Sequence, residues 1–91
     1  MRHTLTPLAV AERIFGGLCG VATILEVSDK APYHWRYQRG NRDAGDFPSL
    51  THVRRLHEEA RDRGLQVPLK WLVYGAAEAE VDALIRPIAA E

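Results

Sequence analysis

The residues best equipped for chemistry lie between Ser28 and Arg42. Asp29, Lys30, Tyr33, His34 and Tyr37 recur at spacings that gather them on one face of a short helix, with Ala31 or Pro32 and Trp35 turned to the other. A helix that buries one side and offers hydrogen-bonding groups on the other has the form that readout of a DNA major groove requires. Arg36, Arg39 and Arg42 follow, in or beside a loop, where guanidinium groups suit phosphate oxygens. Two tyrosines and a histidine on one exposed face need a reason, against the alternative of a merely solvated helix surface. Trp35, on the inward side, is expected in the core rather than as a stacking platform.

No other chemistry finds such a constellation. His52 and His57 are five residues apart, about 140° around a helix, so they do not share a face as i, i+4 metal ligands do. No cysteine or carboxylate cluster completes a site, and no metal is expected. Cys19 falls beside Leu18 in what reads as a packed short helix, the setting of a structural or idle thiol. A glycine-rich phosphate loop, paired catalytic carboxylates and a nucleophile–base spacing are all missing from the pattern, so neither enzymatic activity nor a cofactor is expected.

The elements that must position the recognition face are helices. Thr6–Pro7 pairs an N-cap with a proline at the first helical position, Leu8, Ala11, Ile14 and Phe15 form an inward stripe, and Gly16–Gly17 ends the helix. Leu18, Val21, Ala22 and Leu25 make the stripe of a second helix, and Ser28 is expected to cap a third, over about 29–38. Residues 39–49 read as a loop. Ser49 opens a fourth helix with Leu50, Val53, Leu56 and Ala60 on its buried side and Gly64 at its end. Its alternating Arg54, Arg55, Arg61 and Arg63 with Glu58, Glu59 and Asp62 form an ion-paired surface. A short fifth helix begins at Val67–Pro68 and closes at Gly75, with Leu69, Leu72 and Val73 completing the core and Trp71 or Tyr74 partly exposed. A final helix, about 77–86, is expected to stop before Pro87. No repeat and no convincing strand emerges, so the expected fold is all-α, a compact bundle of five to six helices.

Composition sets the bounds. Ninety-one residues with 46% hydrophobic and 26% charged side chains suit one small globular core. A single cysteine excludes an internal disulfide and fits a reducing, cytoplasmic setting. No apolar run is long enough to span a bilayer, and Arg2–His3 with the short mixed segment after them is not expected to be a signal peptide. Net charge is zero, yet unevenly spread: residues 76–91 carry −3 and the first 75 residues +3. A mildly basic body of residues 1–75 is thus followed by an acidic amphipathic helix in 76–91.

Thr6–Pro7–Leu8, Ile14–Phe15–Gly16–Gly17, Ala22, Val27–Ser28 and Trp35–Arg36 together resemble the Cro/lambda-repressor-like helix-turn-helix family, over about residues 6–40 and more weakly to about residue 74. Leu18 replaces a frequent phosphate-contacting glutamine, and Pro32 takes the place of a usual valine or isoleucine. Glu26 occupies a turn position that the family fills with glycine, where a left-handed backbone costs a non-glycine residue roughly 1 kcal/mol or more. The resemblance implies a lambda-repressor-like domain whose second motif helix enters the major groove. Carried over by position, Asp29, Lys30, Tyr33, His34 and Tyr37 fall on the base- and phosphate-facing side; Lys30, Tyr33, His34 and Tyr37 are then expected at base edges, with Ser28 and the loop arginines Arg36, Arg39 and Arg42 at phosphates.

The expected function is that of a cytoplasmic, sequence-specific regulator of transcription of bacterial or phage type that binds double-stranded DNA, a repressor because nothing remains for an activating domain. One such domain presents a single short reading helix, so a homodimer on a palindromic operator is expected, joined through Val81, Leu84, Ile85 and Ile88. The bland alternative for this stripe is that it folds onto its own body beside Trp71. The competing function is a protein-interaction module of the same fold that binds another regulator or a toxin, favoured by Glu26, Asp29 and the neutral net charge.

Overall fold

The computed structural model describes residues 4–89, and the side chains of 4–86. The elements follow as β1 (Thr4–Leu5), α1 (Pro7–Phe15), α2 (Gly17–Leu25), α3 (Lys30–His34), α4 (Leu50–Asp62), α5 (Trp71–Tyr74), β2 (Ala76–Ala77) and α6 (Glu78–Ala89). The radius of gyration, 12.5 Å, is that of a closely folded chain of this length.

Local chemistry fixes the helix ends. The Thr6 hydroxyl accepts the Ala9 amide at 3.2 Å, with Pro7 at the start of α1, and the Ser49 hydroxyl accepts the Thr51 amide at 3.0 Å at the start of α4. Gly16 ends α1 with φ 86°, and α2 departs at 94° to it. This sharp corner lets Leu8, Val10, Ala11 and Phe15 meet Val21 in one core with Leu56, Ala60, Trp71, Leu72 and Val81. No single described helix is long and apolar enough to cross a membrane.

α2 and α4 close with the same hydrogen-bond pattern. After α4, the Gly64 amide bonds the Arg61 carbonyl and the Leu65 amide bonds that of Ala60, with Gly64 at φ 77°. After α2, the Glu26 amide bonds the Thr23 carbonyl and the Val27 amide bonds that of Ala22, with Glu26 at φ 57°. Glu26 is the only non-glycine at positive φ among the described residues, so α2 ends under a backbone strain that α4 avoids.

Several expectations are corrected. Residues 4–5 and 76–77 pair as antiparallel strands, Thr4 opposite Ala77 and Leu5 opposite Ala76, where no strand is expected from the sequence. Leu50 is 62% exposed because it stands at the first position of α4, before the helix turns onto the core. The fifth helix is only Trp71–Tyr74; Leu69, which precedes it, and Val73 within it are exposed rather than in the core, while Trp71 and Leu72 are buried and Tyr74 is 81% exposed. Cys19 is exposed rather than packed. α6 continues through Pro87 to Ala89: the carbonyl that the missing Pro87 donor would have bonded belongs to the exposed Ala83, where water can serve it.

The C-terminal segment is part of the same body. Val81 is fully buried in the common core and Leu84 packs partly against it, so Val81 is not free to join two protomers. Ile85 is half-buried, and the Ile88 side chain lies outside the described residues, as do Arg2, His3 and Glu91. Arg13 on α1 locks α6 in place, donating from Nη1 to Asp82 at 2.7 Å and from Nη2 to Glu78 at 2.8 Å. Two acidic residues of this segment, Glu78 and Asp82, therefore serve an internal tie. On α4, Glu59 accepts from Arg63 at 2.9 Å and lies 3.4 Å from Arg55, which holds its carboxyl below the usual range, chiefly through the Arg63 hydrogen bond.

Replacing Glu26 by glycine should relieve the left-handed penalty at a smaller cost in unfolded-chain entropy. A gain of about 0.5–1 kcal/mol is expected in denaturant unfolding. A loss of stability in Glu26→Gly would show that the Glu26 side chain contributes more than its backbone strain costs.

Candidate nucleic-acid interface

Glu26, Val27, Ser28 and Asp29 turn the chain between α2 and α3. The expected Ser28 cap is not formed by its hydroxyl; the Ala31 amide instead donates to the Ser28 carbonyl at 3.0 Å, and Asp29 makes no side-chain cap. α3 itself is five residues long. Three-residue turns extend it, through amide donation from Trp35 to Pro32, Arg36 to Tyr33 and Tyr37 to His34 at 3.1–3.3 Å. The single structured segment thus reaches from Lys30 to Tyr37.

Pro32 and Trp35 hold the inner side of this segment. Pro32 is fully buried, tolerated in a first turn where its missing donor has no intrahelical partner. The Trp35 ring lies 5.8 Å from the Phe47 ring, edge-on, and 5.1 Å from the tilted His52 ring on α4. Its carbonyl accepts the Gly45 amide at 2.7 Å and Arg42 Nη1 at 3.1 Å. Gly45 has φ 85° and passes directly over Thr6, whose side chain would collide with any added Cβ; its carbonyl accepts the Leu8 amide at 2.9 Å.

The outer side carries Lys30, Tyr33, His34 and Tyr37, all exposed. Tyr33 meets His34 and Tyr37 edge-on at 6.0 and 5.9 Å, and the Arg36 guanidinium lies 5.8 Å from the Tyr33 ring centre. Hydrogen bonding with Tyr33 raises the Tyr37 phenol pKa. The structure therefore brings these four side chains and Arg36 to one surface.

The arginines divide by environment. Arg39 is exposed, on a turn closed by reciprocal backbone bonds with Arg42, each 3.0 Å. Arg36 is exposed but shares its charge with Glu12, 3.4 Å away on α1, a pairing across 24 residues that no local spacing reveals. Arg42 is half-buried: Nη1 donates to the Trp35 and Asp46 carbonyls at 3.1 and 3.2 Å. Nη1 of Arg42 thus has a structural role, holding the loop to the end of the recognition segment. Among the described residues, no group of three or more histidine, cysteine, aspartate or glutamate side chains is arranged to hold a metal.

His52 packs against Trp35 behind the interface. Its Nδ1 is buried with no hydrogen-bond partner among the described residues, and burial lowers its pKa. No family model, no curated protein and no solved structure matches this chain.

Two outcomes follow. Trp35→Ala should cost about 3–5 kcal/mol of stability, as loss of a buried large ring does, whereas Tyr33→Ala should change unfolding by no more than about 0.5 kcal/mol, as an exposed substitution does. For His52 the folded pKa lies below the unfolded 6.5, so the unfolded chain takes up the proton first. Stability is then complete above about pH 6.5 and falls as pH drops toward the folded pKa. His52→Phe should flatten that part of the pH–stability curve; an unchanged acid limb would assign it to other groups.

Proposed function

We propose that Lys30–Tyr37 docks on double-stranded DNA as the reading segment of a helix-turn-helix, and that the protein acts as a cytoplasmic repressor of transcription. The observation that carries this reading is the exposed set of Tyr33, His34, Tyr37 and Arg36 on a segment whose back is fixed by Pro32 and Trp35. A surface meant only for water gains nothing from being so held; a surface that reads base edges gains from donors and acceptors that lose little freedom on binding. The resemblance to Cro/lambda-repressor-like domains supports the same reading. Tyr33 and His34 reach bases, Lys30 and Tyr37 assist, and Arg39 meets phosphate together with Arg36, which exchanges Glu12 for a phosphate oxygen. Ser28 is exposed at the turn, where its hydroxyl is free for the backbone of the duplex.

The mixed charge of the surface, with Glu12 on Arg36 and Asp29 beside Lys30, favours a second reading, a module that binds another protein through the same aromatic face. DNA binding separates the two. Tyr33→Ala or His34→Ala should weaken binding to a preferred duplex by about 1–3 kcal/mol and to random duplex far less. Arg39→Ala should weaken both and lower the log–log salt slope by roughly 0.9. Arg42→Ala should lower thermal stability instead. Salt-insensitive affinity in all variants, or none for any duplex, would move the assignment to the protein-binding module.

A further inference from the structure

α5 and the start of α4 border an apolar groove of about 260 Å³, walled by Phe47, Leu50, Val53, Leu72 and Val73, with Asp46 at its edge. This volume is below the roughly 300–1,000 Å³ of small-molecule sites and suits one large side chain. Beside it Tyr74 stands 81% exposed, directly after the groove residue Val73. Leu50, on the groove wall, is 62% exposed.

We propose that this face binds a second copy of the same chain about a two-fold axis, each Tyr74 entering the groove of the other protomer. A hole and a knob on one face are what an isologous contact needs, since every residue that gives in one protomer receives in the other. Charge agrees with this docking. Asp46 edges the groove, Lys70 lies one helical turn before Tyr74, and among the described residues neither side chain has an ion-pair partner. Insertion of Tyr74 carries Lys70 toward the partner's groove edge, where a carboxylate waits. The pairing is a property of the free protein and does not require DNA, and it replaces the α6 stripe, whose Val81 is consumed by the core.

Sedimentation of the free protein tests this. The wild-type chain should pass from monomer to dimer as concentration rises. Tyr74→Glu and Leu50→Lys, both at exposed positions, should each raise the dimer dissociation constant at least tenfold with unchanged helical signal. An equimolar mixture of the two variants should regain dimer, because one contact is then wild-type and the other joins an introduced carboxylate to an introduced ammonium. A wild-type chain that stays monomeric at all concentrations, variants that dimerise as it does, or a mixture without recovery would each overturn the proposal. Tyr37→Ala, on the α3 face, should leave the dimer intact; this keeps a failure of DNA binding separate from a failure of association.

Discussion

Trp35 is the side chain on which the rest of the molecule depends. Its indole joins α3 to α4 through His52 and to the loop through Phe47, while its carbonyl collects Gly45 and Arg42. Gly45 in turn receives the amide of Leu8, so the loop is tied to the first turn of α1. A five-residue helix cannot hold its own shape in water, because its nucleation cost exceeds what so few hydrogen bonds return. Burial of Trp35 and Pro32 supplies the missing order, and the outward set of the Tyr33, His34 and Tyr37 rings follows from it. Stability and the candidate recognition surface thus share one residue.

How much of this was legible in the sequence follows from element length. Over α1, α2 and α4 the apolar spacing completes two turns or more, and the caps at Thr6 and Ser49 and the stops at Gly16 and Gly64 are where the residue types place them. Over Trp71–Tyr74 there is only one turn, so periodicity cannot say which side faces inward; Leu72 is buried and Tyr74 exposed as expected, but Val73, expected in the core, is exposed. Leu50 shows a different limit, since a stripe names the residues that share a face but not where that face leaves the core. For α6 the expected stripe turns Val81 and Leu84 to the core, but spacing carries no information on whether its cover is the same chain. That is settled by Arg13, 65 and 69 residues away from its partners Glu78 and Asp82.

The candidate site was legible in the same uneven way. The inward phase of Trp35 and the outward phase of Tyr33, His34 and Tyr37 follow from helical spacing alone, and the short turns beyond His34 preserve it as far as Tyr37. The arginines were not separable. Arg39 and Arg42 look alike in a glycine-rich loop, and only the fold turns Arg42 onto two carbonyls and leaves Arg39 in water. The left-handed Glu26 belongs to the same picture, because the strained turn sets the angle at which α3 leaves α2.

Selection of bound duplexes from a random double-stranded pool addresses the central claim most directly. If the Lys30–Tyr37 face reads DNA, the wild-type chain enriches one shared motif, and the Tyr33→Ala, His34→Ala double variant, still folded, does not. A wild-type chain that leaves the pool at its starting composition would contradict the account.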